Sequence, residues 1–384
     1  MDLDFTPEQD QFREEVRIWL AEHKPTEQRP HSGTEMRDYD LAWQRTQHEA
    51  GWAGINWPVE YGGRGLSLQE QLIWFEEYGR AGLPSMDSCF VGLHHAGPTL
   101  MSRATEAQKS THLASILRGE EIWCQGFSEP GAGSDLASLR TKALIEGDEL
   151  VVNGQKIWTS HAHLADYQEL LVRTNSDGPS KHHGITWVIC DMRSPGIEVR
   201  PIETIDGAHH FCEVFYDDVR IPLANVVGEV DQGWQVAMST LSFERGTAFT
   251  AGQVRLATTV DELIELARKF GLLGDDELQR RLATARAEVA ALRAMTYVGV
   301  SRNERSATPG PEGSIVKLYF SELEKSVARL AMDLLGTHSL ELTSQTRSDG
   351  WTGRFLEAFS MTIGGGTSEI QRNIIGDRVL GLPR

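Results

Sequence analysis

Cysteine is scarce in this chain. The four present (Cys89, Cys124, Cys190 and Cys212) show no CxxC spacing, which excludes a disulfide framework and a zinc ribbon. Positive charge is also in deficit. The formal net charge of −18 over 384 residues excludes the basic face that nucleic acid requires. No apolar run approaches the roughly 18 residues needed to cross a bilayer. The acidic start Met1-Asp2-Leu3-Asp4 lacks a signal-peptide core, so a cytoplasmic protein without a membrane span is expected. No internal repeat recurs. The histidine pairs His94-His95, His182-His183 and His209-His210, with His161 and His163, do not suit a metal. Adjacent side chains point in different directions, and no carboxylate spacing joins them.

What is present is ample core material, 40% hydrophobic residues, in a chain long enough for two or three domains. Thr6-Pro7-Glu8-Gln9 has the form of a helix start with a capping box, and Phe12, Val16, Trp19 and Leu20 follow at helical spacing. Further helical patterns run over Tyr39–Ala50 and Leu68–Gly79, so residues 1–120 read as a helical domain. The texture then turns to short β-type runs. Leu150–Trp158 reads as a hairpin around Asn153-Gly154. Leu170–Val172, Gly184–Cys190 and Phe211–Phe215 add strands to an antiparallel β domain over 121–230. From Gly233 the helical period returns, with one very long pattern over Val236–Phe270, then Leu278–Arg302 and Ser314–Leu335. Ser306–Gly313 reads as a loop, and Ser368 with Gln371 as the capping box of a last helix. Residues 231–384 read as a four-helix bundle, and the fold class is α+β.

Between the first two regions lies Gly126–Asp135, with three glycines, a proline and two serines. Such a loop forms a nest of free N–H groups and hydroxyls for an anion or a flat polar ring, or else it is a surface turn. It does not fit a dinucleotide fingerprint, because Leu136 stands where the third glycine is needed.

Taken together, FSEPGAGSD (127–135), VNGQKIWTS (152–160), FYDDVRIP (215–222), Phe243-Glu244-Arg245 and GTSEIQR (366–372) resemble the acyl-CoA dehydrogenase family over essentially the whole chain. The resemblance implies FAD as cofactor, an acyl-CoA substrate and an electron-transfer flavoprotein as acceptor. It also implies association as a dimer or tetramer, with itself or with a homologous subunit. Ser128 matches the hydroxyl at the flavin pyrimidine edge, Trp158 the aromatic against the isoalloxazine, and Ser160 the hydroxyl near flavin N5. Ser134 matches the serine near the phosphates or the pantetheine. Phe127, Thr367 and Glu369 belong to the same cofactor motifs, and Arg245 is expected on the substrate. Without the resemblance, Trp158 would be read as a core aromatic at a strand end.

The implied reaction removes a weakly acidic α-proton, so it needs a carboxylate base and donors on the thioester oxygen. Much of the family places the base before a Gly-Thr pair near the C-terminus, where this chain has Gly365. A second family placement, similar to that of isovaleryl-CoA dehydrogenase, falls on Glu244. Thr240, Leu241, Ala248 and Ala251 share its helical face, so its carboxyl is expected to titrate high. Gly365 keeps a main-chain N–H for the thioester oxygen and clears space for a branched, cyclic or bulky acyl group.

Two departures concern the cross-subunit half of the flavin site. Ala267 stands where the family has an arginine, with Arg268 one step away, and Asp333 stands for a glutamine. Two rivals to a dehydrogenase follow: a flavin oxidase or monooxygenase on the same scaffold, and a non-catalytic subunit of a heteromeric dehydrogenase.

Overall fold

A computed structural model describes residues 5–83, 86–243, 249–303, 310–341 and 350–383. The chain opens with α1 (Pro7–His23), where Thr6 Oγ1 accepts from Gln9 N–H (3.3 Å) and Gln9 Oε1 accepts from Thr6 N–H (3.0 Å). This is the capping box expected from the sequence. α2 (Gly33–Glu49) and α3 (Leu68–Arg80) follow, and their tryptophans meet those of α1 and the next loop. Trp52 stacks on Trp74 at 4.7 Å and Trp19 on Trp43 at 5.6 Å, giving the N-terminal region an aromatic core. α4 (Asp87–Val91) runs through a π turn (Gly92–Ala96) into α5 (Gly97–Arg103), and α6 (Glu106–Leu117) starts on a second capping box at Thr105 and Gln108.

The middle region is a seven-stranded sheet. Its strands are β1 (Trp123–Gly126), β2 (Lys142–Glu146), β3 (Glu149–Ser160), β4 (Tyr167–Arg173), β5 (Ile185–Asp191), β6 (Ile197–Ile202) and β7 (Phe211–Pro222). The order is β1-β4-β2-β3-β7-β6, with β5 also paired to β4. Antiparallel pairs dominate; β1 runs parallel to β4, and the long stretch of chain between them allows the crossover a parallel pair requires.

The expected hairpin at Asn153-Gly154 is corrected. Those residues lie inside β3, and the β2–β3 turn is at Gly147-Asp148, where Gly147 has φ 65°. Asn153 and Gly154 instead form an irregularity against β7. Asn153 Nδ2 donates to Asp218 Oδ1 (2.9 Å), and Asp218 N–H donates back to Asn153 Oδ1 (3.0 Å). A Cβ on Gly154 would lie 2.7 Å from Thr141 Cα, so close strand packing rather than a turn demands glycine there.

The third region begins with α7 (Gly233–Phe243), which packs on β5 and α5. α8 (Phe249–Lys269), α9 (Asp276–Asn303) and α10 (Gly313–Leu335) pack around Leu256, Val260, Leu263, Leu292, Phe320 and Leu330. The long pattern expected over Val236–Phe270 is helical on both sides of residues 244–248, which lie outside the described residues, as do 306–309 of the expected loop. Short helices Trp351–Glu357 and Ser368–Ile374 lie on α10. The cap of the second is Thr367, whose Oγ1 accepts from Ile370 N–H (3.3 Å), and not Ser368. Ser368 donates to Glu322 (2.7 Å), and Gln371 turns back to Gly365 and Gly366. The two residues expected to cap each other are therefore engaged elsewhere.

α3 joins the N-terminal region to the bundle. Glu76, 1% exposed, accepts from Arg13 (3.0 Å), from Arg293 (2.9 Å) and from Tyr297 (2.7 Å), which ties α1, α3 and α9 together. Burial opposes its charge, but the Tyr297 hydroxyl and the flanking arginines overcome this and hold it below the usual carboxylate range. Glu76→Ala leaves arginines facing an apolar hole and should cost about 3–5 kcal/mol at neutral pH. A carboxyl with a depressed folded pKa stabilises above its unfolded value of about 4.3 and loses that contribution as pH falls through the folded value. The gap between wild type and variant should therefore narrow in acid. Urea unfolding read by tryptophan fluorescence at several pH values measures this, and an unchanged gap would refute it.

Candidate active site

Two segments distant in sequence are pinned by one buried cation. Lys156 on β3 is 0% exposed, and its Nζ donates to Phe127 O (3.0 Å) and to Glu129 Oε1 (2.9 Å). Glu129 also accepts the N–H groups of Arg140 (2.7 Å) and Thr141 (2.8 Å). Ile157 N–H donates to Ser128 O, and Glu129 and Ala132 exchange main-chain bonds, so the loop from Gly126 is clamped to the end of β3. Burial pushes the Lys156 ammonium down to about 8 against the pull of Glu129. Burial also opposes the Glu129 charge, but Lys156 and then Thr141 hold it below the usual carboxylate range.

The clamp sits beside a β-bulge. Lys156 pairs with Val214 and Thr159 with Cys212, so β3 carries one extra residue there. Trp158 takes φ 60°, a left-handed conformation that a bulky residue rarely adopts. The consequence is a tryptophan 54% exposed, set edge-on to Phe211 at 5.9 Å. Ser128 and Ser160 are half-buried, and the Ser128 carbonyl accepts from Ile157 N–H next to Trp158 in the chain. His161, also left-handed at φ 55°, is 7% exposed, and its Nδ1 has no hydrogen-bond partner among the described residues. Burial pushes its pKa down to about 4, so it is a neutral imidazole. At Gly131 and Gly133 a Cβ would meet no protein atom within 4 Å, so nothing in the protein excludes a side chain there. An exposed aromatic plate, an unpartnered buried nitrogen and an open glycine loop fit a flat heterocycle with a polar edge.

The other expected site residues are distributed as follows. The Phe127 ring is buried in the core, so only its main chain borders the loop, and Ser134 is exposed on the loop's outer side. Glu244 and Arg245 lie outside the described residues. Gly365 has φ 64°, and its carbonyl accepts from Gln371 Nε2 (2.9 Å). Thr367 caps the helix that follows, and Glu369 pairs with Arg372 (3.5 Å) in its first turn. Arg268 is exposed and pairs with Glu265, whereas Ala267 is fully buried in the bundle core. Arginine at 267 would have to sit in the core that holds Leu263 and Ala331, and the exposed cations at this end of α8 are Arg268 and Lys269. Asp333 accepts from Arg281 (2.6 Å).

Two cavities open between the N-terminal helices and the bundle. The larger, about 960 Å³, is bordered by His94, Met101, Phe243, Thr250, Val300 and Phe320 among others. The second, about 820 Å³, is bordered by Phe90, Arg255, Glu324, Glu357 and Gly365 among others. Lys156, Glu129, His161, His94 and Thr250 were assigned no role from the sequence. No sequence signal marks the first, since Lys156 stands between Gln155 and Ile157 in a strand of mixed polarity. The others depend on which side chains the fold brings together.

The comparisons with known proteins agree along the chain. Residues 6–120, 124–219 and 231–380 match in turn the N-terminal, middle and C-terminal domains of acyl-CoA dehydrogenase. The chain is 39% identical to acyl-CoA dehydrogenase IpdE1 of Mycobacterium tuberculosis over 98% of both chains. Its fold matches the Tcur3481–Tcur3483 steroid ACAD with TM-score 0.88 and 32% identity over 100% of both chains. It matches the ChsE4–ChsE5 complex of Mycobacterium tuberculosis with TM-score 0.83 and 34% identity, again over 100% of both. Loop, bulge, bundle and matched domains coincide, and the chain belongs to the acyl-CoA dehydrogenase family of flavoprotein oxidoreductases.

Proposed function

We propose that this chain dehydrogenates a bulky acyl-CoA thioester between its α and β carbons, with FAD as cofactor. The observation that carries this reading is the cavity of about 960 Å³, which Ser242 and Phe243 border on one side of residues 244–248 and Thr250 and Gln253 on the other. Residues on both sides of Glu244 in the sequence therefore border one cavity. The volume is near the upper end for small-molecule sites, and its apolar lining suits a branched or cyclic body.

When bound, FAD supplies the acceptor for the hydride that leaves the β-carbon. Trp158 offers the plate for the ring system, Ser128 and Ser160 place hydroxyls at its edge, and the Phe127 main chain and Ser134 border the remaining loop. Glu244 takes the α-proton, and Arg245 serves substrate binding. The Gly365 N–H donates to the thioester oxygen as negative charge develops there. Its turn is held from two sides: Gln371 Nε2 donates to the carbonyls of Gly365 and Gly366, and Lys317 Nζ donates to Gly366 O (2.8 Å) and Met361 O (3.1 Å). That fixation orients the N–H before substrate arrives.

Arg268, Thr367 and Glu369 serve the cross-subunit part of the cofactor site. With Ala267 buried and Asp333 engaged by Arg281, a homologous second subunit supplies the groups this chain does not. The paired names of the two matched structures support that assembly. An electron-transfer flavoprotein then receives the electrons.

The purified protein, alone and co-expressed with a homologous subunit, should show a flavin absorbance band. Anaerobic acyl-CoA esters should bleach it, with branched or cyclic esters acting faster than straight chains. A strict straight-chain preference refutes the bulky-substrate assignment. Glu244→Gln should slow bleaching by about 10²–10⁴-fold with flavin retained, and a wild-type rate would remove Glu244 as the base. Lys156→Met unclamps the loop and leaves Glu129 buried without its cation. Retained flavin should fall severalfold, whereas Arg220→Ala, on an exposed ion pair of the same sheet, should keep it. Equal flavin content in both variants would show that the clamp does not hold the cofactor.

A further inference from the structure

The waist between the two cavities carries polar groups that neither the flavin loop nor Glu244 uses. Asn56, His94, Lys317 and Phe320 border both cavities. His94 lies in the π turn Gly92–Ala96, within a helix that is otherwise continuous from Asp87 to Arg103. The cause of the turn is local. Pro98 has no N–H for the carbonyl four residues back, and Gly97 N–H bonds to Gly92 O, five residues back. The fully buried Trp57 packs so closely on Gly97 that a Cβ there would lie 2.0 Å from its ring, and its indole N–H donates to Leu93 O (2.8 Å).

The wide turn sends two neighbouring imidazoles to different places. His95 is buried toward β1, with Nδ1 3.2 Å from Gln125 Nε2 and 3.5 Å from Glu169 Oε1. His94 stays at the waist, its ring 5.0 Å from Phe90 and 6.2 Å from Phe75. Burial, then the neighbouring His95, pushes its pKa down to about 4, so it is neutral near pH 7 and has both a donor and an acceptor nitrogen. From α8, Thr250 borders the larger cavity and is 3% exposed. Its Oγ1 has no hydrogen-bond partner among the described residues. Gln253, one turn further along α8 and also on the cavity wall, accepts from Thr296 Oγ1 (2.8 Å). A wall meant only for hydrocarbon would have valine at 250 and an apolar residue at 94, because a hydroxyl left unpaired in such a place is costly.

We propose that the acyl group carries an uncharged oxygen, a ketone or a hydroxyl, and that His94 and Thr250 determine specificity by hydrogen-bonding it. This inference rests on the acyl-CoA dehydrogenation reading and adds the substrate's chemistry to it. A methylene in place of that oxygen would leave both groups unpaired against hydrocarbon, so the penalty falls on the wrong substrate more than the gain falls on the right one.

The test uses the holoenzyme, titrated anaerobically with two CoA esters of one ring-containing carbon skeleton. One bears a ring ketone and the other a methylene at the same place. The ketone ester should have a KM lower by about tenfold or more. His94→Leu and Thr250→Val should each cut that preference severalfold, and the double variant should bring it near unity. His94→Gln, which keeps a donor and an acceptor, should retain part of it. Flavin content and Tm confirm that each variant is folded. Equal KM values in the wild type, or an undiminished preference in the double variant, would overturn the assignment and leave the dehydrogenation intact. Reaction with straight-chain esters but with neither ring ester would also overturn it. Bleaching by no acyl-CoA ester at all would overturn the underlying function, and the specificity assignment with it.

Discussion

The buried Lys156–Glu129 pair is the constraint on which the site depends. Neither charge is a cheap way to stabilise a sheet, since desolvation consumes much of the Coulombic gain. What the pair does is fix geometry. One ammonium holds the Phe127 carbonyl and the Glu129 carboxylate, and that carboxylate in turn holds the N–H groups of Arg140 and Thr141. A glycine-containing loop that would otherwise sample many conformations is thereby locked against β3. The price is two desolvated charges, and the return is a single loop shape.

The bulge next to the clamp converts that rigidity into a surface. Inserting one residue between Lys156 and Thr159 turns Trp158 out of the sheet, where a regular strand would pair its backbone and send its ring to one face. A left-handed tryptophan is strained, and it persists because both sides are tied, by Ile157 to Ser128 and by His161 to His210. The strain is confined to the place where a flat ring would be received.

A second irregularity, the π turn at Gly92–Ala96, plays the matching part on the helical side. Trp57 and Pro98 set it, and it places His95 under β1 and His94 in the cavity waist. Sheet and helices therefore each depart from regular geometry near the site, the sheet at Trp158 and the helices at His94. The Glu76 network then holds the N-terminal helices to the bundle that closes the cavities.

Local chemistry was legible in the sequence. The Thr6 cap, the helical spacing of Val16 and Leu20 and the β-type runs at Leu170 and Gly184 depend on neighbours a few residues apart, and the motifs identified the family. Asn153-Gly154 misled because the same dipeptide serves a turn or a bulge, and only the approach of Thr141 and the pairing with Asp218 select the bulge. Ser368 lost its capping role to Thr367 because Glu322, far away in sequence, takes its hydroxyl. The burial of Lys156, the exposure of Trp158 and the meeting of His94 with Thr250 at one cavity were decided by tertiary structure alone. Each depends on residues brought together from separate elements, and a one-dimensional pattern carries no record of that distance.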